Sequence, residues 1–160
     1  MDPVGWATLQ AELLSDILLL KQAVQLADQY GASQTKQGND ASAFQLVRCY
    51  NIFENMLLRI ARAFENHLDK NHGWHKGLLD RLGLTIPGIR PAFYPLEYKM
   101  SLQALMGFRH IMVHAYDLSV DAKRLEENRM NAISLANEIE DWLKHFGKEV
   151  GRMHSLPSVV

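Results

Sequence analysis

Over most of the span from Leu9 to Val150 the apolar residues recur every three or four positions, and no stretch shows strand-like alternation. That period belongs to the α-helix, which returns to one face every 3.6 residues, and it leaves little material for a sheet. Leu9, Leu13, Ile17, Leu20, Val24 and Ala27 predict a first helix over residues 6–30, with Gly31 as its stop. The polar stretch Gly31 to Asp40 reads as a loop. A second helix is predicted from Ser42 to about Leu68 on Leu46, Cys49, Phe53, Leu57, Ile60 and Phe64, with Ser42 and Gln45 as a capping box. A short helix is expected from Trp74 to Leu82. The proline-containing segment Leu84 to Pro95 reads as an ordered connection, with Trp74, Phe93 and Tyr94 plugging one end of the core. Another helix starts at Pro95. After the turn Asp117 to Asp121, a last helix extends to about Val150. The expected fold class is all-α: an up-and-down bundle of four long helices plus a short one. It would form a single domain over residues 1–150, with 151–160 as a flexible tail.

Composition narrows the function. A chain of 160 residues buries a substantial core, and 48% apolar with 22% charged residues suits a soluble globular protein. The formal net charge of −1 supplies no global field for nucleic acid, so any RNA contact must rest on a local basic patch. Cys49 is the single cysteine, set in an apolar stripe. That excludes a disulfide framework and a CxxC metal site, and it fits a cytoplasmic setting. The N-terminus lacks a basic region before its apolar run, so no secretory signal is expected. No apolar run approaches the roughly 18 residues of a membrane span, so no membrane partner is expected.

One segment stands apart: Phe108-Arg109-His110-Ile111-Met112-Val113-His114-Ala115-Tyr116. On its helix Met100, Ala104, Phe108, Ile111 and Ala115 form a stripe expected to face the core. A second stripe, Tyr98, Leu102, Leu105, Arg109, Met112 and Tyr116, carries a guanidinium among apolar side chains. It is expected to meet a cleft, a partner chain or an anionic ligand. His110 and His114, four apart, share a third face. Arg109 and His114 are roughly 140° apart around an ideal helix, so a helix end or a second copy of the chain is needed to bring them together. On the second helix, Glu54 and Arg59 are possible cleft-lining residues, otherwise part of a solvated charged face. His72 and His75 read as loop and packing histidines.

These residue types suit cleavage of RNA, where the ribose 2′-OH attacks its own phosphate and the protein supplies an acid, a base and positive charge. Histidine serves the first two roles near neutral pH, and arginine forks onto phosphate oxygens. A two-fold dimer would place two Arg109 and two His114 in one cleft. The same spacing also fits polar surface histidines and an arginine paired within the core. No Glu-x-x-His pair or carboxylate cluster accompanies the histidines, so neither a metal nor a cofactor is expected.

Arg109, His114 and Tyr116, with a polar His110 after the arginine, form the R-x-x-x-x-H-x-Y pattern, and the chain resembles HEPN-domain proteins, the HepT-like ribonuclease toxins most closely. The resemblance implies a HEPN-like helical bundle and a metal-independent endoribonuclease, toxin of a toxin–antitoxin pair, acting on tRNA or mRNA as a homodimer. It implies Arg109 and His114 as catalytic residues, with His110 supporting. It implies Tyr116 as the site where a minimal nucleotidyltransferase (MNT) antitoxin adds AMP. The alternative it allows is a non-catalytic companion of a nucleotidyltransferase that binds nucleotide or substrate in the same cleft.

Overall fold

The computed structural model describes residues 2–65, 73–114 and 119–156. Five helices make up the described structure: α1 (Pro3–Gly31), α2 (Lys36–Phe64), α3 (Trp74–Leu82), α4 (Lys99–His114) and α5 (Ala122–His154). No strand occurs among the described residues, and the fold is an all-α bundle. It is built on the antiparallel pair α1 and α2, with α5 packed across both and α4 against α2 and α5. Leu13, Leu20, Cys49, Phe53, Leu57, Ile60, Ile139, Leu143 and Phe146 are all fully or almost fully buried, so the stripes predicted for the first two helices face the core, together with the apolar side of α5.

Helix ends differ from the sequence expectation, each for a local reason. α1 starts at Pro3, where Asp2 accepts a hydrogen bond from the Gly5 N–H at 2.8 Å. The Gly5 N–H, foremost, holds that carboxyl below its usual range. The predicted loop over 31–40 shrinks, because α2 begins at Lys36 behind Thr35, whose hydroxyl accepts from the Gly38 N–H at 3.0 Å. Gly38 is needed there: a Cβ would fall 1.8 Å from Ser33 Oγ and 2.6 Å from the Tyr30 carbonyl oxygen. Ser42 is therefore no cap. It lies inside α2, fully buried, donating to the Ala27 carbonyl at 2.7 Å and tying α2 to α1. α2 is described to Phe64, with Glu65 as its C-cap, and the predicted end near Leu68 lies outside the described residues. α5 continues past Val150 to His154, whose Nε2 lies 2.7 Å from the Ile89 carbonyl oxygen and whose ring packs on Phe64. The N-cap of α5 is Asp121, which accepts from the N–H groups of Lys123 and Arg124; Asp117, where the predicted turn begins, lies outside the described residues.

The connection after α3 is held by charge. Ile86 and Arg90 exchange backbone hydrogen bonds across a turn in which Gly88 takes φ 73°, a conformation glycine adopts freely. The Arg90 side chain is fully buried. It grips Glu65 Oε1 through Nε at 2.8 Å and Nη2 at 2.6 Å, and donates to the carbonyls of Arg81, Leu84 and Pro91. Arg81 holds the other Glu65 oxygen at 3.0 Å. Thus anchored, the connection drops Phe93 and Tyr94 into the core, with Trp74 packed against it. The Tyr94 hydroxyl donates to the Leu79 carbonyl at 2.7 Å. A 3-10 turn, Leu96–Tyr98, follows Pro95 and leads into α4.

Burial makes the core sensitive to alkali. It pushes the Cys49 thiol from 9.0 up to about 12. It also raises the Tyr50 and Tyr94 phenols, helped respectively by Glu54 and Asp80. Below pH 9.0 Cys49 is protonated in both folded and unfolded chains and favours neither. Above that the unfolded chain binds fewer protons than the folded one, so stability falls as pH rises toward about 12. The expected slope from Cys49 is about 1.4 kcal/mol per pH unit. Urea midpoints from pH 8 to 10.5 should fall steadily in wild type and less steeply in Cys49→Ala; parallel curves would show that the thiol ionises alike in the folded and unfolded chains and that burial does not shift it.

Candidate functional site

α4 places the motif. Its start is fixed by Lys99 paired with Asp80 of α3 at 2.9 Å, and it then runs antiparallel along α2. The stripe expected to be core holds only in part. Leu102, Leu105 and Phe108 are buried, whereas Met100 is 82% exposed and Ala104 also faces outward. The core-facing arc is therefore centred on the stripe expected to meet a cleft, and part of the stripe expected to be core faces outward. Both stripes are apolar along α4, so burial is decided by where α2 and α5 lie. Arg109 stands at the edge of the buried arc, half-buried, and its Nε donates to Asn51 Oδ1 of α2 at 3.0 Å.

His110 and His114 are exposed on the outer arc, their rings 4.4 Å apart between centroids. His114 Nδ1 lies 2.8 Å from the His110 carbonyl oxygen. A carbonyl only accepts, so Nδ1 carries the hydrogen and Nε2 is left to act on a ligand. α4 ends at His114. Arg109 thus leans toward α2 while His114 points outward, and the motif groups occupy separate arcs. Tyr116 lies outside the described residues.

The other candidates divide. Arg59 binds Asp16 and Glu12 of α1, both at 2.9 Å, and α1 makes no contact with α4 among the described residues. Glu54 does sit near the motif, buried on α2 one turn beyond Asn51. It accepts from His75 Nδ1 at 2.6 Å. His75 is therefore tied to α2; His72 lies outside the described residues. The Tyr50 hydroxyl is buried with no hydrogen-bond partner among the described residues. Burial and then Glu54 hold it above the usual phenol range, against the opposing charge of Arg109. No sequence signal marks Asn51 as the Arg109 partner, because the two are 58 residues apart.

An all-α bundle whose fourth helix ends on an arginine and two outward histidines is of HEPN type. The family model for HepT-like proteins matches residues 41–150, and the chain belongs to that family. Comparison with curated proteins and with solved structures returned no match. Membership makes this a HEPN-type, toxin-like protein. None of the described helices is long and apolar enough to cross a membrane.

Proposed function

We propose that this protein is a metal-independent endoribonuclease, the toxin of a toxin–antitoxin pair, which cleaves tRNA or mRNA as a homodimer. The observation that carries the reading is the orientation of His114: Nδ1 is committed to its own helix, which presents Nε2 at the exposed end of α4. In the reaction His114 Nε2 takes the proton of the ribose 2′-OH as its oxygen forms a bond to phosphorus. The bond from phosphorus to the 5′-oxygen breaks, and that oxygen takes a proton from a protonated imidazole, with His110 supporting. The products are a 2′,3′-cyclic phosphate and a free 5′-hydroxyl. Arg109, preset by Asn51, holds the non-bridging oxygens as their charge grows.

One chain supplies these groups on separate arcs, so a second copy completes the cleft. Support for self-association comes from apolar exposure: Phe44 of α2 is 64% exposed and Val113 of α4 50%. The antiparallel course of α2 and α4 puts both beyond the Arg109–Asn51 contact at the motif end. Tyr116, two residues past His114, is the position at which an MNT antitoxin adds AMP. The added negative charge beside the cleft would repel RNA phosphate.

The test is incubation of purified protein with total tRNA in EDTA, with the protein's intact mass recorded. Cleavage to cyclic-phosphate ends is expected. An unmodified, dimeric protein that leaves tRNA and mRNA whole would overturn the nuclease in favour of a binding companion of a nucleotidyltransferase. A monomer at assay concentration would overturn the shared cleft.

A further inference from the structure

Two side chains on one side of α2 hold groups that arrive from two other helices. Asn51 accepts from Arg109 of α4, and Glu54 accepts from His75 of α3. They are three residues apart, less than one helical pitch of about 5.4 Å, so Arg109 and His75 are anchored as neighbours. The helices that carry them, α3 and α4, are themselves in contact.

The fixing of His75 goes beyond what packing of α3 requires. Leu78, Leu79 and Leu82 already bury the apolar side of that helix. A buried carboxylate is costly unless it is well paired, yet Glu54 takes the His75 ring at 2.6 Å. Trp74 stacks on the same ring with centroids 3.9 Å apart. Position and tilt of the imidazole are thus set from two sides. Its side chain is still 33% exposed, and Nε2 has no partner among the described residues. An imidazole bonded through Nδ1 to a carboxylate, with Nε2 open, is the form in which proteins present a ring nitrogen to a ligand.

We propose that His75, held by Glu54, is a second imidazole of the site and offers Nε2 to the phosphate group that Arg109 binds. The inference rests on the reading of the Arg109 region as an RNA site. When charged, the ring donates from both nitrogens, to Glu54 on one side and to a phosphate oxygen on the other. Glu54, His75 and the phosphate then alternate in charge.

The experiment uses a 2′-O-methyl RNA oligonucleotide, which has no free 2′-OH and cannot be cleaved. It is titrated into the full chain as wild type, His75→Gln and Arg109→Ala, with anisotropy as the readout. The assigned His75 ring signal is followed by NMR in the wild type. His75→Gln is expected to weaken binding about tenfold at low salt. The ring signal should move saturably along the same isotherm. Binding by His75→Gln within twofold of wild type, or a His75 signal that stays in place while RNA binds through Arg109, would remove His75 from the site and leave the nuclease reading intact. Binding that ignores Arg109→Ala would sink both. Should His75→Gln fold poorly, the wild-type ring signal decides the matter.

Discussion

Arg90→Ala is expected to lower the unfolding free energy by about 3–5 kcal/mol, because it strips one partner from a buried ion pair. The side chain has no exposed surface and makes bonds to Glu65, Arg81, Leu84 and Pro91. Among the described residues its removal leaves Glu65 paired with Arg81 only, and it takes a donor away from the carbonyls of Arg81, Leu84 and Pro91. The damage should spread, since the same side chain fixes the connection that delivers Phe93 and Tyr94 to the core. Arg90→Lys keeps the charge but loses the planar fork, so an intermediate loss is expected. Urea unfolding followed by circular dichroism measures both. A loss under about 1 kcal/mol for Arg90→Ala would mean that the connection is held by its apolar contacts and that the ion pair is incidental.

The largest functional effect is expected at His114. With its Nε2 as the base, His114→Ala should lower the RNA cleavage rate by about 10²–10⁴-fold while the fold and the dimer persist. The ring is exposed, and the one bond it makes among the described residues is to its own helix, so little stability depends on it. Arg109→Ala should cost about 10²–10³-fold by removing charge from the transition state. If each centre takes Arg109 from one protomer and His114 from its partner, mixing the two inactive variants regenerates one intact centre per heterodimer. An equal mixture should then recover about a quarter of wild-type activity. Recovery of none would refute a cross-protomer centre. Cleavage by His114→Ala at the wild-type rate would refute the base.

The helices and most of the core were legible before any coordinates. Leu46, Cys49, Phe53, Leu57, Ile60 and Phe64 fall on one face of a helix by spacing alone, and all but the half-buried Phe64 are fully or almost fully buried. Helix ends were harder to read. Ser42 has the side chain of a cap, but the neighbouring α1 offers the Ala27 carbonyl, and a buried bond across two helices outweighs a local one. On α4 both Met100 and Leu102 belong to apolar stripes, and periodicity cannot rank two such faces; the positions of α2 and α5 do so.

The site divides along the same line. Arg109, His110 and His114 declare themselves because polar groups interrupt an apolar helix, a pattern carried by neighbouring residues in the chain. Asn51 and His75 do not, and Glu54 shows only as a possible cleft-lining charge on the second helix, because their significance lies in contacts between helices separated by long stretches of sequence. Nothing in the neighbouring sequence marks Arg90, yet it is among the most buried of the described side chains. By itself the sequence determined the all-α class, the core stripes and the motif, since each depends on local spacing along a helix. Only the tertiary structure decided which face of α4 is buried, that Arg59 serves α1, and that Glu54 and Asn51 of α2 hold His75 and Arg109. Those outcomes depend on which helices become neighbours, and that is settled by the burial of the whole core at once.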